Sequence, residues 1–173
     1  MKLVIGTAQF GMSYGISNNT GKMHEIDVEK VIQYASRHEV NMLDTAPSYG
    51  NSESVVGKFI NTHSESLHWN IITKTPYFKS SAIGIEQINE LLKTFKVSIS
   101  RLGKDSIYGL LVHNCNNIFL PGGEKLLSTL SKLKKDGFIE KIGVSLYSGV
   151  QIDRILDNYS IDLIQLPINI FDQ

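Results

Sequence analysis

One stretch decides the fold class: VNMLDTAPSYGNSE, residues 40–53. Its first five residues form a short, mostly apolar run that ends in Asp44, which predicts a strand over residues 40–44 with a carboxylate at its carboxyl end. A polar loop follows, and Ser52 then stands at the start of a segment with apolar residues at helical spacing, over residues 52–62. The stretch therefore predicts a strand, a loop and a helix in that order.

The same unit recurs along the whole chain. Further short apolar runs predict strands at residues 3–6, 69–74, 107–113, 141–145 and 163–166. Amphipathic segments between them predict helices at residues 27–38, 85–100, 123–136 and 150–159. This alternation is typical of parallel α/β folds. No linker interrupts it, so residues 1–173 are predicted to form a single domain.

Two parallel architectures fit the alternation, a closed barrel and an open doubly wound sheet. An open sheet that binds dinucleotides needs Gly-x-Gly-x-x-Gly after its first strand, whereas Gly6, Gly11 and Gly15 have other spacings, and no P-loop lysine follows them. In a barrel, the carboxyl ends of all strands converge on one face. Polar residues stand at these ends on successive strands, which favours the barrel: Thr7, Asp44, Lys74, His113, Ser145 and Gln165.

Composition excludes several classes of partner. Lysine plus arginine equals aspartate plus glutamate, 17 each, so no electrostatic field favours nucleic acid or anionic lipid. The first apolar run is too short for a signal peptide, and no stretch approaches the roughly 18 apolar residues of a membrane span, which predicts a cytoplasmic protein. Cys115 is the single cysteine, and four of the five histidines lack the spacing of a zinc site, so no metal is expected. These four histidines are interpreted as surface residues: His24, His38, His63 and His68.

Four side chains near the strand ends have complementary chemistry: Asp44, Tyr49, Lys74 and His113. A phenol with a pKa near 10 is a weak acid at neutral pH, and an ammonium beside it would stabilise the phenolate. A carboxylate paired with that ammonium would keep it charged when buried, and an imidazole can orient a carbonyl oxygen. Because no side chain supplies a hydride, the set implies a nicotinamide cofactor and a small-molecule carbonyl substrate.

In order and spacing, GTAQFG (6–11), DTAPSYGNSE (44–53), ITK (72–74) and LLVH (110–113) resemble the aldo-keto reductase family. The resemblance implies an NADPH-dependent reductase of aldehydes or ketones on a parallel (β/α)8 TIM-type barrel. It implies that Tyr49 is the general acid, that Lys74 and Asp44 tune it, and that His113 positions the carbonyl. It also implies a cofactor site, formed by Gly6, Thr7, Asp44, Ser145 and Gln165. Leu146 departs from the asparagine of many members, and Asn169 matches a common family feature.

The resemblance also implies that the family continues beyond Gln173 with two more strands and their helices. This chain is therefore expected to hold about six of the eight units, as an incomplete, truncated barrel that lacks the groups for the 2′-phosphate. Two sheet edges would then be exposed, which favours self-association. An alternative function stays open on this ground: a catalytically incompetent barrel that acts as an association module or an inert fragment.

Two hydrolytic alternatives are disfavoured. Cys115 follows His113 by two residues, but this spacing does not guarantee contact between thiol and imidazole, so Cys115 is interpreted as a small, partly buried thiol. The run GVSLY (143–147) begins like a nucleophile elbow, but its last residue is tyrosine where the elbow needs glycine.

Overall fold

The computed structural model describes residues 3–62 and 68–168. The strands are β1 (Ile5–Gly6), β2 (Met42–Asp44), β3 (Asn70–Lys74), β4 (Ile107–Val112), β5 (Ile139–Ser145) and β6 (Leu163–Gln165). The helices are α1 (Ala8–Gly11), α2 (Glu25–Arg37), α3 (Ser52–Thr62), α4 (Ile85–Leu102), α5 (Glu124–Lys135) and α6 (Gly149–Asn158), with a 3-10 helix at Cys115–Phe119. Within the described ranges, no helix is both long and apolar enough to cross a bilayer.

The six strands form one parallel sheet in the order β1-β2-β3-β4-β5-β6. This order confirms the incomplete barrel, because a doubly wound sheet reverses its strand order at a switch point. In the register, Gly6 lies beside Asp44, Lys74 beside Leu111 and Ser145 beside Gln165. The carboxyl ends of all six strands therefore meet at one edge, as predicted.

All predicted strands and the five predicted helices are present, and their ends differ by a few residues. β1 begins at Ile5 rather than residue 3, and the side chains of Leu3 and Val4 are exposed beside the open edge of the sheet. α2 begins at Glu25, so that Glu25 and Asp27 both lie in its first turn, where the helix dipole favours carboxylates. Neither α1 nor the 3-10 helix was predicted, because each is too short to show a periodic pattern.

The outer face of the sheet packs against the helices in one apolar cluster. Leu43, Ile71, Leu110, Ile142 and Val144 belong to this cluster, together with buried residues of α2 to α6. Each such side chain contributes about 1.5–3 kcal/mol when it is fully buried. The cluster fixes the strands so that their carboxyl ends keep a constant geometry.

The concave face of the sheet is tight enough to require glycine at two positions. A Cβ atom on Gly109 of β4 would lie 2.9 Å from Leu163 Cδ1 of β6, two strands away. A Cβ atom on Gly143 of β5 would lie 2.2 Å from Leu111 Cδ2 and 2.8 Å from Leu163 Cβ. These approaches show that the sheet curls toward its inner face, as a barrel wall does.

Gly143→Ala is expected to lower the free energy of unfolding by about 1–3 kcal/mol, because the new methyl group overpacks the concave face. Gly149→Ala is the matched control, since a Cβ there meets nothing within 4 Å and its residue begins α6. Urea denaturation of both variants measures the difference. Equal stability of the two variants would contradict the curled packing.

Candidate active site

A cleft of about 370 Å³ opens at the carboxyl end of the sheet. It is lined by six of the residues predicted from the sequence: Gly6, Thr7, Asp44, Tyr49, Ser145 and Gln165. The other two, Lys74 and His113, contact this set, since Lys74 pairs with Asp44 and His113 packs against Tyr49. All eight predicted residues are therefore brought together.

Lys74 and Asp44 form a buried ion pair at the ends of β3 and β2. The distance from Lys74 Nζ to Asp44 Oδ1 is 2.7 Å, and the two side chains are 1% and 12% exposed. The ammonium also donates to the Thr45 carbonyl oxygen at 3.0 Å. Burial lowers the pKa of Lys74, and the charge of Asp44 acts in the opposite direction. The pairing predicted from the sequence is present.

Tyr49 lies in the turn between β2 and α3, half-buried, with Lys74 Nζ 4.9 Å from its ring centroid. Burial raises the pKa of Tyr49, and the negative charge of Asp44 adds to this effect. Burial and Asp44 set the net direction of this pKa, which is upward, so the lowered pKa expected beside an ammonium is not found. The role of Lys74 in stabilising the phenolate stays a prediction. The phenol therefore keeps its proton at neutral pH. Its hydroxyl has no hydrogen-bond partner within residues 3–62 and 68–168.

His113 follows β4 directly, and its backbone N–H donates to Thr75 Oγ1 at 3.2 Å. Its ring stands edge-on to Tyr49, at 6.4 Å between centroids, and to Tyr77, at 5.7 Å. The Nδ1 atom is buried and has no hydrogen-bond partner in the described part of the chain. Burial lowers the pKa of His113, and the positive charge of Lys74 lowers it further. The imidazole is therefore neutral at physiological pH, with one N–H available as a donor.

This shift predicts a pH dependence of stability. The unfolded chain protonates His113 near its ordinary pKa of about 6.5, whereas the folded chain protonates it only at lower pH. Between these two values the unfolded state binds more protons, so the stability that is present above about pH 6.5 falls as the pH is lowered.

His113→Gln should reduce this loss of stability, and the measurement is urea denaturation between about pH 5 and pH 8. His38→Gln is the control, because His38 is exposed at the end of α2, where its ring contacts Tyr34. If both variants lose stability as steeply as the parent, His113 is not the titrating group.

Ser145 and Gln165 lie side by side on β5 and β6 and both line the cleft. Ser145 is buried and Gln165 half-buried. Neither the serine hydroxyl nor the glutamine amide hydrogen-bonds any group in the described ranges, so both can bind a ligand. A hydroxyl next to a primary amide is complementary to a carboxamide, which has one acceptor oxygen and two donor hydrogens.

Thr7 lines the same cleft, but its hydroxyl already donates a hydrogen bond within the protein. Thr7 is fully buried, and its Oγ1 donates to the Asp44 carbonyl oxygen at 2.9 Å. The side chain thus ties the end of β1 to the end of β2. Gly6 precedes it, and a Cβ there would meet nothing within 4 Å, so this part of the cleft is open.

Several residues at the site were not identified from the sequence. Gln9, Tyr14 and Tyr147 line the cleft, and Tyr77 packs against His113. Tyr14 lies in a loop without periodic pattern, so the sequence carries no signal for it. Tyr147 did have a signal, since an aromatic residue follows a strand end by two positions.

The remaining candidates stay outside the site. The Cys115 thiol is buried, burial raises its pKa, and its sulfur lies 3.9 Å from Asn116 Oδ1. A thiol with a raised pKa is a poor nucleophile, as the sequence argument expected. His24, His38 and His68 are exposed. Leu146 is fully buried, while His63 and Asn169 lie outside the described residues.

Comparison with known proteins gives a consistent result. A profile described as the aldo/keto reductase family matches residues 2–173. The chain is 29% identical over 152 residues to D-arabinose 1-dehydrogenase of Saccharomyces cerevisiae, covering 84% of this chain and 42% of that protein. It is 25% identical over 184 residues to the NADH-specific methylglyoxal reductase of Escherichia coli, covering 98% and 56%. The aldo-keto reductase of Bombyx mori in complex with NADP has a TM-score of 0.71 at 20% identity, covering 96% and 54%. The chain thus spans about half the length of these relatives.

Proposed function

Because the chain belongs to the aldo/keto reductase family, a family of oxidoreductases, we propose that it provides the acid-base machinery of an NADPH-dependent reductase of aldehydes or ketones. One observation carries the proposal. The Tyr49 phenol lines the cleft with its proton retained and its hydroxyl unpartnered in the described ranges, directly over the buried Lys74–Asp44 pair. A protonated, unpartnered phenol is suited to donate a proton to a bound oxygen.

The proposed mechanism assigns a role to each of four side chains. The substrate carbonyl oxygen accepts hydrogen bonds from the Tyr49 hydroxyl and from the ring N–H of His113, which polarise the carbonyl bond. NADPH, when bound, supplies the hydride. Tyr49 then gives its proton to the alkoxide oxygen. Lys74 stabilises the phenolate that remains, and Asp44 keeps Lys74 charged in its buried position.

The cofactor site proposed here consists of Gly6, Thr7, Asp44, Ser145 and Gln165. Its support is the pair of unpartnered polar groups on Ser145 and Gln165, which fits a nicotinamide carboxamide. Among the described residues that line the cleft there is no lysine or arginine, so nothing in this lining selects a 2′-phosphate. Both cofactor types occur among the relatives, since the Escherichia coli enzyme is NADH-specific and the Bombyx mori structure contains NADP.

The experiment is cofactor titration followed by turnover, carried out on the full-length gene product. We expect quenching of NADPH fluorescence on binding and loss of NADPH absorbance when small neutral aldehydes are added, and a parallel titration with NADH measures the cofactor preference. Methylglyoxal, tested by loss of NADPH absorbance, and D-arabinose, tested with NADP⁺ by gain of NADPH absorbance, are the first compounds to try, because two relatives are named for them. Failure to bind either cofactor would overturn the proposal.

A second candidate function, an association module, is favoured by apolar side chains at both outer strands. Leu3 and Val4 are exposed beside β1, and Ile164 and Leu166 are exposed at β6. Sheet edges with exposed apolar groups promote pairing between chains. Sedimentation that shows a stable oligomer without cofactor binding would support this candidate over the reductase.

A further inference from the structure

Two glycines bring the end of α1 into backbone contact with the turn that carries Tyr49. A Cβ atom on Gly11 would lie 1.8 Å from the Tyr49 carbonyl oxygen and 2.4 Å from the Ser52 nitrogen. A Cβ atom on Gly50 would lie 2.4 Å from the Gly11 carbonyl oxygen, and Gly50 has a φ of +60°. Only glycine fits both positions without moving one segment away from the other.

Three buried hydroxyl groups tie the same segments together. Ser52 Oγ lies 2.8 Å from the Thr7 carbonyl oxygen and 2.7 Å from Thr7 Oγ1. Thr45 Oγ1 donates to Ser52 Oγ at 3.2 Å. All three residues are fully buried. The hydroxyls and the glycine contact form a unit, here called the Tyr49 clamp and defined by Thr7, Gly11, Thr45, Gly50 and Ser52.

The Tyr49 side chain depends on this unit for its position. Its hydroxyl has no partner in the described part of the chain, and its ring is held by Lys74 and by ring contacts with His113 and Tyr14. Its backbone, in contrast, is fixed on both sides of the peptide, since Tyr49 N–H donates to Ala46 and its carbonyl accepts from Ser52. That carbonyl oxygen is the atom that a Cβ on Gly11 would approach most closely. A shift of the clamp therefore moves Tyr49 itself.

We propose that Gly11 and Ser52 are positioning residues for Tyr49, which they hold over the Lys74–Asp44 pair. The expected effect on kcat rests on the proposed function, whereas the positioning of Tyr49 by these two residues does not depend on it. A displacement of a reacting group by about 1 Å lowers rates by about 10²-fold. Small changes at either residue should therefore lower kcat more than they lower the affinity for the cofactor.

The first test is Gly11→Ala, with two matched glycine controls. Gly57→Ala creates similar crowding elsewhere, since its Cβ would lie 2.1 Å from the Arg101 carbonyl oxygen between α3 and α4. Gly149→Ala creates none. We expect kcat to fall by about 10- to 100-fold in Gly11→Ala and to stay within about twofold in both controls. A similar loss of kcat in Gly57→Ala would mean that the loss in Gly11→Ala comes from general destabilisation, and it would overturn the proposal.

Ser52→Ala tests the hydroxyl half of the clamp and remains available if Gly11→Ala does not fold. Its control is Ser98→Ala, because Ser98 is also a buried helical serine, but its hydroxyl has no partner in the described ranges. We expect a lower kcat in Ser52→Ala and an unchanged kcat in Ser98→Ala. Equal kcat in the two variants would contradict the role of Ser52.

Amide hydrogen exchange of residues 46–52 gives a readout that needs no turnover. We expect faster exchange in this segment for Gly11→Ala and Ser52→Ala, and parent-like exchange for the controls. If the parent protein reduces no carbonyl compound, the proposed function fails while this measurement still tests the clamp. Unchanged exchange in folded Gly11→Ala and Ser52→Ala would overturn the clamp whatever the activity.

Discussion

Tyr49→Phe is expected to lower kcat for carbonyl reduction by about 10²- to 10⁴-fold, the range that a positioned general acid contributes. The variant keeps the aromatic ring, and with it the contacts to Lys74, His113 and Tyr14. The lost hydroxyl has no hydrogen-bond partner in the described ranges, so its removal leaves no buried group unpaired. The fold and the cofactor site should therefore remain as they are.

The measurement combines steady-state kinetics with cofactor titration on the same preparations. Tyr34→Phe is the matched control, because Tyr34 is exposed on α2 and lies outside the cleft. We expect unchanged cofactor affinity in both variants and a loss of turnover only at Tyr49. If Tyr49→Phe lowers the cofactor affinity by as large a factor as it lowers kcat, Tyr49 is a structural residue and not the general acid.

The fold was predictable because two independent patterns agree. The apolar periodicity gave each strand and each long helix, and the helix at Ser52–Thr62 begins and ends at the predicted residues. The choice of a barrel over an open sheet came from polar residues at successive strand ends, of which Asp44, Lys74 and Ser145 are the clearest. Short elements such as α1 escaped prediction, because four residues cannot show a helical period.

The convergence of the eight candidate residues was predictable from the sequence, but their electrostatics were not. Convergence of strand ends on one face brought the eight residues together. The direction of the Tyr49 pKa shift could not be read from the sequence, because it depends on burial and on the distances to two opposite charges. The Tyr49 clamp could not be predicted from the sequence either, because Gly11 and Gly50 approach each other only in the folded chain. The hydroxyl of Thr7 likewise finds its partner on the neighbouring strand, 37 residues away in sequence.

Lys74→Met is expected to lower the free energy of unfolding by about 3–5 kcal/mol, the cost of leaving one member of a buried ion pair uncompensated. Asp44 is buried and would keep its carboxylate beside a methionine. The Thr45 carbonyl oxygen also loses its donor. Lys30→Met is the control, because its pair with Asp27 at 3.0 Å is exposed and such pairs contribute about 1 kcal/mol or less. Urea denaturation of both variants measures the contrast.

A double variant, Asp44→Leu with Lys74→Met, separates the two reasons for which a buried ion pair can be retained. Apolar side chains of similar volume often replace such a pair without loss of stability, because they avoid the desolvation cost of two charges. We therefore expect the double variant to be far more stable than Lys74→Met alone, with a coupling energy of up to about 3 kcal/mol between the sites. Turnover should nevertheless be lost, because no ammonium then stabilises the Tyr49 phenolate. A stable but inactive double variant would mean that the Lys74–Asp44 pair is retained for catalysis. An unstable double variant would mean that the pair is retained because it holds β2 and β3 together.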